Sequence, residues 1–196
     1  MSIQIPSKIE QTLVEIKAKI DDINLTRKRL TSLNAEHVGT FRQTDTYFVV
    51  PNGRLKLRET DTQGRAELVY YEREDVATPK RSDIFILKVQ KPALFKKLLN
   101  EVLQTKVVVD KTREIYQLYT IEEKSRRIQV HLDKVLGLGT FIEFEMEASG
   151  KTEEGLKEDR RILELFMEKL GISHDSLQGL SYSDLLEGRR EVLKVR

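Results

Sequence analysis

The chain has 196 residues, with 34 Lys and Arg against 32 Asp and Glu for a formal charge of +2, so both signs are abundant and net charge alone selects no partner. Charged residues make up 34% of the sequence where a globular protein carries about 25%, and four Pro and ten Gly are too few for a linker protein; a folded domain of this size buries about 70% of its unfolded surface. The absence of Cys excludes disulfides, thiolate metal sites and cysteine nucleophiles. No stretch has the apolar length of a signal peptide or a membrane span, and a cytoplasmic location is expected.

Residues 12–20 alternate Val14, Ile16, Ala18 and Ile20 with Glu15, Lys17 and Lys19, the two-residue period of a strand. Asp21 and Asp22 offer an N-cap to a helix carrying Ile23, Leu30 and Leu33 that ends near residues 34–39. Residues 44–50, the Pro51-Asn52-Gly53 turn and residues 54–59 predict a hairpin, because Asn-Gly supplies positive φ at little steric cost. A turn at 61–64 leads into a strand at 66–73, residues 74–82 read as a polar loop around Pro79, and 83–89 as the next strand. Pro92 suits the start of a helix over 93–103. Strands are expected at 107–116, 125–134 and 140–148, the last two joined by the Gly137-Leu138-Gly139 turn. From Thr152 onward Leu156, Ile162, Leu163, Phe166 and Leu170 fall at helical spacing, with Gly171 where a C-cap belongs. A short helix at 181–186 follows, and the basic end after Gly188 is expected to fray. No repeat or linker divides the chain, so residues 1–196 read as one domain whose helical region, 152–196, packs on an antiparallel, strand-rich body.

The polar faces of these strands are charged. They carry Glu15, Lys17 and Lys19; Arg54, Lys56 and Arg58; Arg73; Lys111 and Arg113; Arg127, Gln129, His131 and Asp133; and Glu143, Glu145 and Glu147. Two arrangements fit this pattern. In one, a sheet has a dry face on helices and a solvated face. In the other, the strands close into a barrel with the apolar face outward and the charges lining a lumen. Two cations a few ångströms apart repel by about 4 kcal/mol at an effective dielectric of 20, so a charged lumen needs a compensating ligand. The cations outnumber the carboxylates, and the matching ligand is a compact polyanion with a metal: Arg and Lys for phosphate oxygens, a carboxylate cluster for Mg²⁺ or Mn²⁺.

The ordered segments EIKAK at 15–19, GRLKLRE at 53–59, AELVYYERE at 66–74, PKRSD at 79–83, DKTRE at 110–114, RIQVHLDKVLGLGTFIEFE at 127–145 and SYSDLL at 181–186 resemble the CYTH-domain proteins. These are the triphosphate tunnel metalloenzymes that include class IV adenylyl cyclases and triphosphatases. The order and the PKRSD loop are most similar to the cyclase branch. The resemblance implies an α+β fold, a closed antiparallel barrel of about eight strands with flanking helices, and a triphosphate such as ATP or inorganic triphosphate inside it. Carried over position by position, Lys19, Arg54, Lys56, Arg58, Arg73, Lys80, Lys111, Arg113 and Arg127 grip phosphates, while Glu15, Asp133, Glu143 and Glu145 hold Mg²⁺ or Mn²⁺. Lys17 stands where the family's N-terminal motif usually has a second acid, which removes a metal ligand and adds a substrate-facing cation.

In a cyclase the ribose 3′-hydroxyl attacks the α-phosphorus and pyrophosphate leaves; in a triphosphatase water attacks the terminal phosphorus. Cations and metal serve both reactions. Lys111 or Lys56, whose neighbouring cations favour loss of a proton, is the expected proton carrier, and Asp133 is grouped with them as catalytic. His131 is a general base or a hydrogen-bonded bystander, the latter being commoner. Tyr70, Tyr71 and Phe85 stack on a base or, more commonly, pack. His37 and His174 fall in connections. A domain that binds polyphosphate without turnover is the rival reading, to which Lys17 lends weight. Arg27, Lys28 and Arg29 and the tail of Arg189, Arg190, Lys194 and Arg196 read as solvated surface, so the expected partners are a triphosphate small molecule and at most a second copy of the chain, with neither nucleic acid nor membrane.

Overall fold

The structure, a computed structural model, describes residues 8–62, 66–120, 126–150 and 152–194. Its strands are β1 (Lys8–Ile20), β2 (Glu36–Phe48), β3 (Arg54–Thr60), β4 (Ala66–Arg73), β5 (Lys80–Val89), β6 (Thr105–Tyr119), β7 (Arg127–Val135) and β8 (Gly139–Glu147). The helices are α1 (Ile23–Ser32), α2 (Pro92–Val102), α3 (Glu153–Lys169) and α4 (Tyr182–Lys194), with a 3-10 turn at His174–Ser176. The strands close in the order β1-β5-β4-β3-β2-β6-β7-β8, every neighbouring pair antiparallel. Of the two arrangements open to the sequence, the closed barrel is the one adopted.

Alternation explains which face is dry. On β7 Ile128, Val130 and Leu132, and on β8 Ile142, Phe144 and Met146, are almost wholly buried on the outer face. They meet Leu30 of α1 and Leu156, Ile162, Leu163, Phe166 and Met167 of α3. The main core therefore lies outside the barrel, and each such side chain contributes about 1.5–3 kcal/mol on burial. A second outer layer packs Leu99 and Phe95 of α2 on Phe48, Leu57, Ala66 and Val89. With both apolar faces covered by helices, the lumen is left to the charges.

Local signals set the helix ends. The Asp22 carboxylate accepts hydrogen bonds from the Asn24 and Leu25 N–H groups, and the Thr152 hydroxyl accepts from Gly155 N–H, satisfying otherwise orphaned donors. Gly53, at the β2–β3 turn, has φ of 64°, and a Cβ there would lie 2.7 Å from the Tyr70 hydroxyl.

Three expectations are corrected. β2 starts at Glu36, so His37 lies on a strand; its long register with β6 outweighs the weak apolar alternation of residues 36–43. β5 starts at Lys80, inside the expected loop, because residues 80–82 extend the ladder to Glu15, Val14 and Leu13. α4 continues through residue 194, past the expected end at 186: Leu185 and Leu186 pack on the barrel end, and Arg189 donates to the Gly137 carbonyl. Gly64 of the expected turn, Ser125 at the expected strand start, Arg196, and the side chains of Arg190 and Lys194 lie outside the described residues. Among the described residues no helix is long and apolar enough to cross a membrane.

Candidate functional site

Strand register brings the charges together. Asp45 on β2 stands opposite Arg58, and Tyr47 opposite Lys56; Arg113 on β6 stands opposite Asp133. Asp45 is fully buried. It accepts from Lys56 Nζ at 3.0 Å and from Arg58 Nε at 2.9 Å and Nη2 at 3.1 Å, with Lys111 Nζ 3.6 Å away. Burial favours its neutral form, but Arg58, Lys56 and Lys111 outweigh that and hold the carboxyl well below the usual range. Asp133, equally buried, takes a bidentate pair from Arg113 at 2.8 and 2.6 Å and the Tyr182 hydroxyl at 2.9 Å. Burial and the neighbouring Arg58 push Lys56 down to about 7; Lys111 is lowered by burial and by Arg113.

The carboxylate wall is built on β1 and β8. Glu15 faces Glu145, and Lys17 faces Glu143, across the β1–β8 ladder. Glu143 accepts from Arg113 at 2.8 Å; although its burial favours protonation, His131 and Arg113 keep it well below the usual range. Glu15 is paired with Arg73 of β4, yet burial, with Glu143 and Glu145 nearby, raises its pKa in spite of that cation. Lys80 of β5 is buried and donates to the Val76 carbonyl at 3.1 Å; burial and Arg73 lower it to about 8.

One end of the lumen is closed by α4. Ser181 heads this helix, exchanging hydrogen bonds with Asp184: the Ser181 hydroxyl donates at 2.6 Å and accepts from Asp184 N–H at 3.2 Å, a reciprocal capping pattern. The next residue, Tyr182, enters the barrel, its ring 5.1 Å from that of Phe141. Lys17 Nζ lies 4.5 Å from the Tyr182 ring centroid and donates to the Leu180 carbonyl at 2.6 Å, so Lys17 ties the plug to β1. Between plug and open end lies a cavity of about 110 Å³ lined by charged groups on most sides and by Leu13, Val69, Ile84 and Ile86 on one wall.

Of the residues named from sequence, Glu15, Lys17, Lys56, Arg58, Arg73, Lys111, Arg113, Glu143 and Glu145 line this cavity. Arg54 sits at the plugged end and pairs with Asp75 and Asp184. Lys19 is exposed at the end of β1, and Arg127 is exposed at the opposite mouth beside Gln11 and Glu147. Tyr71 faces the cavity, whereas Tyr70 and Phe85 pair on the outer face, centroids 6.2 Å apart. Asp45, Tyr47, Tyr182 and Asp184 belong to the site and were not singled out in the sequence. The inward face of Asp45 emerges only from its register with Arg58 on β3, whereas Ser181-x-x-Asp184 is a legible helix start.

For a metal, His131, Glu143 and Glu145 each bring a ligand atom to within 4.8 Å of the others, a donor set that fits a divalent cation. Glu15 and Asp133 are outside that cluster, the first paired with Arg73 and the second enclosed by Arg113 and Tyr182.

A closed antiparallel barrel with its core outside and a charged, one-ended lumen defines a β-tunnel protein. The chain belongs to the CYTH domain family, whose model matches residues 11–179. It is 33% identical over 188 residues to a protein of Methanocaldococcus jannaschii named "Putative adenylate cyclase", covering 88% of this chain and 97% of the relative. Among solved structures, a Pyrococcus horikoshii protein superposes with a TM-score of 0.75 at 22% identity, over 88% of this chain and 98% of its own. A Vibrio parahaemolyticus protein described as a putative adenylate cyclase superposes at 0.72 and 19% identity, over 90% and 98%. A Hippeastrum protein, described as a putative adenylyl cyclase with a dominant triphosphatase activity, superposes at 0.59 and 15% identity, over 90% and 95%. These likenesses establish the shared fold.

Proposed function

We propose that this chain processes a triphosphate in its tunnel with a divalent metal, as a class IV adenylyl cyclase does in converting ATP to cyclic AMP and pyrophosphate. The observation that carries the reading is a charge imbalance held out of water. Among the described lumenal residues, Lys17, Lys56, Arg58, Arg73, Lys80, Lys111 and Arg113 face only Glu15, Asp45, Asp133, Glu143 and Glu145, leaving two cations without a countercharge. Arg73 Nε and Ser82 Oγ are buried with no hydrogen-bond partner, a costly state that phosphate oxygens would relieve.

On this reading Arg58 and Arg113, fixed by Asp45 and Asp133, present planar donors to the phosphates. Lys56, charged once the triphosphate is bound, and Lys111 stabilise the charge that develops on the phosphates. Asp133 acts by positioning Arg113 and Lys111. Glu143 and Glu145, with Glu15 nearby, serve the cation, which when bound neutralises phosphate charge and polarises the scissile bond. Leu13, Val69, Ile84 and Ile86 offer the nucleoside an apolar wall, and the 33% identical relative named for cyclase activity supports the choice. A triphosphatase is the second reading, favoured by the cavity of about 110 Å³, which suits a phosphate chain better than a whole nucleotide. Purified protein incubated with ATP or tripolyphosphate and Mg²⁺ or Mn²⁺, with Glu143→Ala as control, separates these. Cyclic AMP with pyrophosphate supports the cyclase, orthophosphate the triphosphatase, and tight binding without product would overturn both in favour of a binding module.

A further inference from the structure

We propose that His131 is itself a ligand of the divalent cation, with Glu143 and Glu145, and that its nitrogen tilts the site toward a transition-metal ion such as Mn²⁺ over Mg²⁺. The inference rests on the metal-dependent reading above and names the donor set for it. His131 on β7 stands directly across from Glu143 on β8, and Gln129 from Glu145. His131 is 2% exposed, and its Nδ1 lies 3.4 Å from a Glu143 oxygen and 3.6 Å from a Glu145 oxygen. The three ligand atoms fall within 4.8 Å of one another, and the two nitrogen–oxygen separations lie inside the roughly 4.2 Å that a pair of bonds of about 2.1 Å reaches.

Two further observations point to a ligand here. The far nitrogen of the ring, Nε2, is 2.9 Å from the Gln129 amide. An amide satisfies the ring in both states: its N–H₂ group donates to the Nε2 lone pair when Nδ1 carries the proton, and its oxygen accepts from Nε2–H when Nδ1 gives its lone pair to a metal. Metal-bound imidazoles ordinarily have such an outer partner fixing the tautomer. Across the lumen on β4, Arg73 Nε is buried and unpartnered while its guanidinium pairs with Glu15, the register partner of Glu145; an anion held beside the cation would satisfy it.

The chemistry of the set decides the ion. Mg²⁺ favours oxygen ligands and gains little from imidazole, whereas Mn²⁺, though it also favours oxygen, accepts an imidazole nitrogen beside carboxylates, and the ions after it in the first row do so more readily still.

The test titrates the full chain with Mn²⁺ and Mg²⁺ and reads the spin-echo modulation of bound Mn²⁺, with turnover of tripolyphosphate and ATP followed on the same preparation. Expected are ¹⁴N coupling from one imidazole, Mn²⁺ binding about tenfold or more tighter than Mg²⁺, and loss of the coupling in His131→Asn but not in His37→Asn or His174→Asn. Mn²⁺ bound without nitrogen coupling, coupling that survives His131→Asn, or no binding at millimolar Mn²⁺ would overturn the proposal. The Mn²⁺ to Mg²⁺ ratio is read on the wild type alone, so it stands if the variant fails to fold, and a ratio within about threefold overturns the proposal as well. Product formed without nitrogen coupling refutes the ligand assignment and leaves the enzyme reading intact; nitrogen coupling without product does the reverse.

Discussion

Asp45→Asn removes one charge and almost no volume from the centre of the cation cluster. Asp45 is 0% exposed and faces Lys56, Arg58 and Lys111 within 3.6 Å, and each close charge pair carries about 4 kcal/mol at an effective dielectric of 20. Much of this was spent on desolvation, so the net loss expected is that of breaking a buried pair, about 3 kcal/mol and up to 5. Lys56 softens the loss by shedding its proton, since its pKa is already about 7. A lysine whose folded pKa lies below its unfolded value of about 10.4 binds fewer protons when folded, so its contribution to stability improves as pH rises through the window from about 7 to 10.4. The Asp45→Asn penalty should therefore be larger at pH 6 than at pH 8. For a domain of this size about 3 kcal/mol lowers Tm by roughly 6–12 °C. Differential scanning calorimetry with and without tripolyphosphate checks this, and the ligand should raise Tm more in the variant than in the wild type because it replaces the missing negative charge. A variant melting within about 2 °C of wild type, with an equal ligand shift, would refute the view that Asp45 offsets lumenal repulsion.

Lys17→Met removes a charged hydrogen bond to Leu180, worth about 1.5–3 kcal/mol; amide exchange in α4 should quicken about tenfold or more, and unchanged protection would show that Lys17 does not hold the plug. Tripolyphosphate binding at pH 8 should take up protons, because the anion raises Lys56 and Lys80 from about 7 and about 8. Calorimetry in two buffers of different ionisation enthalpy reads this directly, and equal heats in both would count against it. Gly53→Ala, at φ of 64° with its Cβ 2.8 Å from the Tyr71 carbonyl, should cost about 2 kcal/mol and lower the urea midpoint; an unchanged midpoint would mean the turn relaxes freely.

The strands were legible because alternation with a buried outer face is a strong two-residue signal, as Ile128, Val130 and Leu132 against Gln129, His131 and Asp133 illustrate. Period two fixes the face and says nothing of depth along the strand. Lys17 and Lys19 share a face, yet the first is buried and the second exposed beyond the barrel end; Arg127 and Asp133 differ in the same way. Asp45 is not legible in the sequence because a single acid among Thr and Tyr carries little weight until its partners on β3 and β6 are known, and those pairings are long-range. Pro79 and the polar residues before it place Lys80 in a loop, a local signal that the β1–β5 ladder overrides. Tyr182 could be placed at a helix start by the Ser181–Asp184 pattern, but that this helix turns its first residue into the lumen depends on the packing of Leu185 and Leu186.

Carboxylates within an anion site look counterproductive, and their placement shows why they are needed. Without Asp45 and Asp133 the guanidinium groups of Arg58 and Arg113 would repel one another and turn outward to water; with them, each is held by two short bonds before any ligand arrives. The reorganisation that a flexible cation would undergo on binding is thus completed during folding. The arrangement also discriminates by charge. A monoanion gains little, because most lumenal cations already have partners, whereas a compact polyanion meets the uncompensated cations, Arg73 Nε and Ser82 Oγ together. On the proposed reading, with α4 packed at one end, such a ligand would enter past Gln11, Arg127 and Gln129, its leading phosphates reaching the Asp45 and Asp133 clusters and its trailing part lying between Glu145 and the apolar wall of Leu13, Ile84 and Ile86.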